Sequence, residues 1–217
     1  MPIPWYYTWS NRFFHEVLQD SMKDSAFCLI PKKIVGLEDS TDYYNEIVSF
    51  LENSDSPYII FSDAEFIVKS DIFKNMQCHI ENNDEMVFLK EDSLISPTFM
   101  LLKVCPEVID FFKKINNTTN INELLKKEFK GKWTVFDDQL FTSSNLWNMN
   151  VQFSIMKPQT SNLGKEMDFA EKIFIMAQHL NLDQYMKYVP ENIIPFIYKF
   201  QELVYLSHQE SRTAGIL

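Results

Sequence analysis

Apolar positions along this chain follow two periods in turn. "IPWYYTW" (Ile3–Trp9) is a run of aromatic and β-favouring residues and predicts a first strand. Behind it, Phe14, Val17, Leu18 and Met22 recur at helical spacing, with Ser10 placed as N-cap. "AFCLI" (Ala26–Ile30) predicts a short second strand, stopped by Pro31. In "STDYYNEIVSFLENS", Tyr44, Ile47, Val48 and Leu51 fall at i, i+3, i+4 and i+7, the pattern of an amphipathic helix. "YIIF" (Tyr58–Phe61) is apolar at every position, as a strand covered on both faces requires. Strand, helix, strand, helix, strand is the order of an α/β layered fold with a mostly parallel central sheet.

The alternation continues. "MVFL" (Met86–Leu89) and "FMLLKV" (Phe99–Val104) read as strands. "PEVIDFFKKI" follows as a helix, with Pro106 in its first turn and Val108, Phe111, Phe112 and Ile115 on one face. Asn120 and Glu123 have capping-box spacing before "INELLKKEF". "VQFSIM" (Val151–Met156) predicts a late strand. Ala170, Ile173, Phe174 and Ala177 stripe one C-terminal helix, and Pro195 opens another with Ile197, Phe200 and Val204 facing inward. With no linker or repeat, the expectation is a single domain: a core over residues 1–158 and a helical flank over residues 159–217.

Composition narrows the function classes. The net charge of −10 argues against a nucleic-acid partner, which needs a basic face. A phosphorylated small ligand stays open, because a divalent cation can bridge carboxylates to phosphates. Cys28, Cys78 and Cys105 are widely spaced and odd in number, which predicts buried free thiols in a reducing compartment. "MPIPWYYTWS" has no basic leader, and no stretch reaches the ~18 apolar residues of a membrane span. The expectation is a soluble, cytoplasmic protein.

The chemistry concentrates in "SPYIIFSDAEFIV" (Ser56–Val68), where the apolar strand runs into Asp63 and Glu65. Two carboxylates at the mouth of a buried strand repel each other and are costly to desolvate. A hard cation such as Mg²⁺ or Mn²⁺ removes that conflict, since it takes one or two carboxylates plus substrate phosphates. A solvated turn capping the strand is the plainer alternative. In parallel sheets the ligand crevice lies beyond the carboxyl ends of the strands, which would place Tyr7, Thr8 and Trp9 beside Asp63.

"YIIFSDAEFIV" resembles the D-x-D segment of GT-A glycosyltransferases, the nucleotide-diphospho-sugar transferases, with Glu65 in place of the second Asp. "FDDQLF" (Phe136–Phe141) is similar to the Asp-Gln segment these enzymes carry before a helix. The order of elements over Ile3–Pro158 matches as well, and small GT-A domains encoded by large algal DNA viruses are a nearer likeness. The resemblance implies a UDP- or GDP-sugar donor, a Mn²⁺ or Mg²⁺ cofactor, and a glycan or glycoprotein acceptor. It implies that Asp63 and Glu65 hold metal and diphosphate, with Asp63 also near the ribose. It places Tyr7, Thr8 and Trp9 around base and ribose, where core packing competes as the role of Tyr7 and Trp9. Arg12 could reach a phosphate or stay solvated. Asp138 or Asp137 would lie on the acceptor side and take the acceptor hydroxyl proton; either could instead cap a helix. His179 and His208 lack the setting of the family's late metal ligand.

Two other readings use the same residues. A metal-dependent phosphodiesterase or nuclease would use Asp63 and Glu65, but the position two beyond Glu65 is Ile67 rather than Lys. A non-catalytic binding domain on a degenerate transferase fold would suit the four glycines, because phosphate-cradling loops usually need more.

Overall fold

The computed structural model describes residues 3–23, 27–33, 40–68, 72–91, 94–115, 120–137, 141–145 and 154–213. The chain forms two compact units, Met1–Thr142 with Phe153–Ile155, and Ser143–Gln152 with Met156–Leu217. The first unit holds β1 (Pro4–Trp9), α1 (Arg12–Met22), β2 (Cys28–Lys33), α2 (Ser40–Glu52), β3 (Tyr58–Asp63), β4 (Ile67–Val68), α3 (Phe73–Glu81), β5 (Met86–Glu91) and β6 (Leu94–Lys103). It continues through α4 (Pro106–Lys113), α5 (Ile121–Glu128) and β7 (Trp133–Val135). Two short strands follow, β8 (Phe141–Ser144) and β9 (Ile155–Pro158). The second unit carries α6 (Lys165–Ala177), a 3-10 turn (Asp183–Tyr188) and α7 (Ile194–Thr213).

A six-stranded sheet in the order β2-β1-β3-β6-β5-β7 organises the first unit. β1 pairs parallel with β2 and β3, and β5 pairs parallel with β7. β6 alone runs antiparallel, between β3 and β5. Its direction follows from the two-residue link from β5, which is too short for a parallel crossover. The sheet is therefore the expected mixed α/β one, mostly parallel, with one reversed central strand.

Side chains sort to the two faces by the period of two. Phe61, Met86, Phe88, Met100 and Leu102 pack with Ile47 and Leu51 of α2, Val108, Phe111 and Phe112 of α4, and Leu125 of α5. On the other face Trp5 meets Phe27 and Phe99 edge-on, with centroids 5.6 and 5.3 Å apart. Phe13, Phe14, Val17 and Leu18 form the buried stripe of α1. In the second unit, Glu171 of α6 is fully buried, and its two carboxylate oxygens accept the Ser161 N–H and hydroxyl at 2.8 Å each.

Several local expectations need correction. The α1 N-cap is Asn11, not Ser10: its Oδ1 accepts the Phe13 N–H at 2.9 Å. Pro31 does not stop β2 but lies inside it, opposite Tyr7. β2 is an edge strand, where a residue without an N–H is tolerated. β6 starts five residues earlier than expected, and its Pro97 falls where the β5–β6 register shifts between Phe88 and Leu89. β4, α3 and β7 carry too little periodicity to be predicted. Asn120 caps α5 as expected, accepting the Asn122 N–H at 3.0 Å. Cys28 and Cys78 are exposed free thiols rather than buried ones. Of the predicted strand 151–156, residues 151–153 lie outside the described residues. Among the described residues, no helix is long and apolar enough to cross a membrane.

Asn11→Ala is expected to cost about 1 kcal/mol in urea unfolding, the usual value of an N-cap. Phe61→Ala, which empties the centre of the larger cluster, should cost about 3–5 kcal/mol.

Candidate active site

β1 and β3 lie side by side with Thr8 opposite Asp63, so both strands end at one edge of the sheet. Just beyond, a cavity of about 170 Å³ is lined by Thr8, Trp9, Ser10, Asn11, Phe14, Asp63, Ala64 and Glu65. The chain leaves β3 in a turn closed by Asp63 itself, whose Oδ1 accepts the Glu65 N–H at 2.9 Å. Asp63 and Glu65 therefore converge through a turn, not through the i, i+2 face of a regular strand. Ala64 between them is 2% exposed, so its small side chain tucks inward beneath the cavity. Both carboxylates are half-buried.

The other sequence-predicted residues divide. Thr8 and Trp9 line this cavity. Tyr7 does not line it: it is fully buried on the face of Trp9, with its hydroxyl 3.0 Å from His15 Nδ1. Burial pushes the Tyr7 phenol up to about 12, so it stays neutral, and burial lowers His15. The His15 ring in turn stacks on Trp9 at 4.3 Å, and the Lys33 ammonium lies 5.2 Å from the Trp9 ring centre. Tyr7 thus braces the wall that Trp9 forms. Arg12 is exposed on the first turn of α1 and pairs with Glu16, Nε to Oε1 at 3.1 Å. Ser10, Asn11 and Phe14 join the cavity although the sequence marked Ser10 only as a cap and Phe14 only as part of the α1 core stripe. They come into it through their position directly after β1.

Asp137 lies elsewhere. It is exposed and lines a second cavity of about 580 Å³ with Lys74, Asn75, Cys78, His79, Lys90, Val135, Phe136 and Phe141. Asp138 lies outside the described residues. Beneath this cavity His79 Nδ1 meets Asp84 Oδ2 at 2.8 Å, and Lys132 Nζ meets Asp84 Oδ1 at 2.8 Å. Burial acts to raise the Asp84 carboxyl. The hydrogen bonds from Lys132 and His79 outweigh it and hold Asp84 below the usual carboxylate range. Separation in sequence hid this trio.

Among the described residues, no three or more His, Cys, Asp or Glu side chains gather as metal donors. Asp63 and Glu65 nonetheless offer the all-oxygen, two-carboxylate set that suits Mg²⁺ or Mn²⁺ when phosphates complete the shell.

The fold has clear counterparts among solved structures. A glycosyltransferase involved in the glycosylation of the major capsid of PBCV-1 superposes with a TM-score of 0.57 at 6% identity, over 81% of this chain and 100% of that one. The bifunctional glycosyltransferase WbbM gives 0.56 at 8% identity, over 86% of this chain and 51% of that one. The apo-form glycosyltransferase GlyE of Streptococcus pneumoniae TIGR4 gives 0.51 at 10% identity, over 94% and 64%. No protein-family model and no curated protein sequence matches the chain. The chain has a GT-A-like glycosyltransferase fold.

Because the Asp84 pKa is depressed in the folded state, its contribution to stability is present above the ordinary Asp value near 3.8 and fades as pH falls through the folded value. Urea unfolding between pH 2 and 6 should show a loss of stability on acidification that is smaller in Asp84→Asn.

Proposed function

We propose that this protein is a divalent-metal-dependent glycosyltransferase that moves a sugar from a UDP- or GDP-sugar to an acceptor hydroxyl of a glycan or glycoprotein. What supports the reading most is one placement. Asp63 and Glu65 flank a cavity at the carboxyl ends of β1 and β3, in a fold shared with glycosyltransferases. That is where an open α/β sheet takes its ligand.

On this reading Asp63 and Glu65 hold Mn²⁺ or Mg²⁺ against the donor diphosphate. The bound metal would supply Lewis-acid stabilisation of the departing nucleoside diphosphate. Thr8 and Trp9 form the wall for ribose and base, with Trp9 kept in orientation by His15 and Tyr7. The Asp63 Oδ1 bond to the Glu65 N–H fixes the turn, so the two carboxylates are placed before the donor arrives. On the acceptor side Asp138, or Asp137, takes the proton of the attacking hydroxyl. Arg12 remains within the first turn of α1 for a phosphate, in exchange for its pairing with Glu16.

Titration calorimetry with UDP and GDP, each with and without Mn²⁺, tests the proposal. The expected result is metal-dependent binding of one nucleotide that Asp63→Ala weakens by at least about tenfold. No binding of either nucleotide in the presence of metal would overturn it. Asp138→Ala should abolish transfer while leaving nucleotide affinity largely unchanged.

A further inference from the structure

The second cavity carries a chemistry of its own. β6 runs antiparallel to both β3 and β5, so β3 and β5 point the same way. The carboxyl ends of β1, β3, β5 and β7 therefore share one edge of the sheet. The cavity beside Asp63 sits where β1 and β3 end, and the larger one sits where β5 and β7 end. α3 forms its remaining wall. Lys74, Asn75, Cys78 and His79 fall at i, i+1, i+4 and i+5, one face of that helix.

Two lysines, Lys74 and Lys90, stand against one described carboxylate, Asp137, in a chain of net charge −10. Asn75 adds an amide that can donate. His79 is not a loose surface imidazole. Asp84, 4% exposed, holds its Nδ1 at 2.8 Å and is itself held by Lys132. With Nδ1–H donated to Asp84, Nε2 of the neutral ring is an acceptor, suited to a sugar hydroxyl rather than to the anion itself. The opposite wall is apolar: Phe136 and Phe141 stack at 4.1 Å, and Phe136 meets the His79 ring edge-on at 5.5 Å. One side of the cavity can cover the C–H face of a sugar ring while the other meets a negative charge.

We infer that this second cavity is the acceptor site and that it selects an acceptor sugar bearing an anionic group, a carboxylate or a phosphate, held by Lys74, Lys90 and the Asn75 amide. The assignment rests on the glycosyltransferase reading for the word acceptor; the preference for an anionic sugar does not. It goes beyond that reading by naming the chemical class of the second substrate.

Amide chemical-shift titration of the metal-free, nucleotide-free protein tests it with three probes: glucuronic acid, glucose 6-phosphate and neutral methyl glucoside. The expected result is that one or both anionic sugars move the signals of Lys74, Asn75, His79 and Lys90. Half-saturation should come at a concentration at least about tenfold below that of methyl glucoside. Which anionic probe binds more tightly separates carboxylate from phosphate. The Lys74→Gln/Lys90→Gln double variant should lose that tenfold preference. Equal binding of neutral and anionic sugars, shifts confined to other parts of the chain, no shifts at all, or an unchanged preference in the double variant would each overturn the inference. The comparison of probes needs no variant, so a folding defect cannot decide it. Binding of UDP with Mn²⁺, measured separately, tells the two failures apart. Nucleotide binding without anion preference sinks this inference alone, whereas anion preference without nucleotide binding sinks the donor reading alone.

Discussion

A buried hydrogen bond between β1 and β3 fixes the strand pair at whose end the first cavity lies. The Trp5 indole N–H donates to the Ser62 hydroxyl at 2.8 Å, and both residues are fully buried. That hydroxyl donates onward to the Asp63 carbonyl at 2.7 Å. Neither polar group can be left unmade in this setting without a cost of about 1–3 kcal/mol. The bond therefore pins the start of β1 against the end of β3. A slip of one residue would send Asp63 to the opposite face. With the register held, Thr8 and Asp63 stand level, and the chain turns out of β3 where Trp9 leaves β1.

The alternation of faces then divides the labour between neighbours. Tyr7 shares the face of Trp5 and Ser62, so it is packed and serves through His15. Thr8 and Asp63 share the face of Phe61, where Tyr43 packs edge-on at 5.1 Å. The Tyr43 hydroxyl donates to the Pro97 carbonyl at 2.7 Å. Burial first, and the charge of Asp63 second, push the Tyr43 phenol well above its ordinary value. A neutral tyrosine thus links Asp63 to the irregular stretch of β6, where Pro97 interrupts the ladder. The bulge is placed at the edge of the sheet where the proposed site lies, a position where bulges are common.

What could be read from the sequence followed from local chemistry. "YIIF" announced a strand buried on both faces, and all four residues are buried. Asp63 and Glu65 announced a charged mouth because carboxylates after such a strand need compensation. Periodicity also found α1, α2, α4 and α6. What could not be read depended on partners distant in the chain. Whether Pro31 ends a strand or sits in one depends on β2 being at an edge, which only the finished sheet decides. Tyr7 and Trp9 look equivalent in "YYTW" and share one face of β1, yet Tyr7 lies within the strand and is buried, while Trp9 ends it and lies at the rim. The second cavity joins α3 to residues some sixty positions further on, and nothing at positions 74–79 signals Asp84, Phe136 or Asp137.

The two cavities impose opposite electrostatic demands along one sheet edge. Under the proposed function, Asp63 and Glu65 would repel a bare diphosphate and would admit it only with a cation that offsets both charges. Lys74 and Lys90 need no such intermediary for an anion. A phosphate group entering without metal is thus directed away from the carboxylates and toward the lysines. A metal-bound diphosphate, its charge reduced, would lose that bias, and the first cavity would be open to it. Asp84 sharpens the separation: by binding both His79 and Lys132 it keeps these groups on the side of the second cavity. On that proposal, charge placement of this kind would sort two substrates before any shape is tested, and it needs no long loops, which suits a chain with only four glycines.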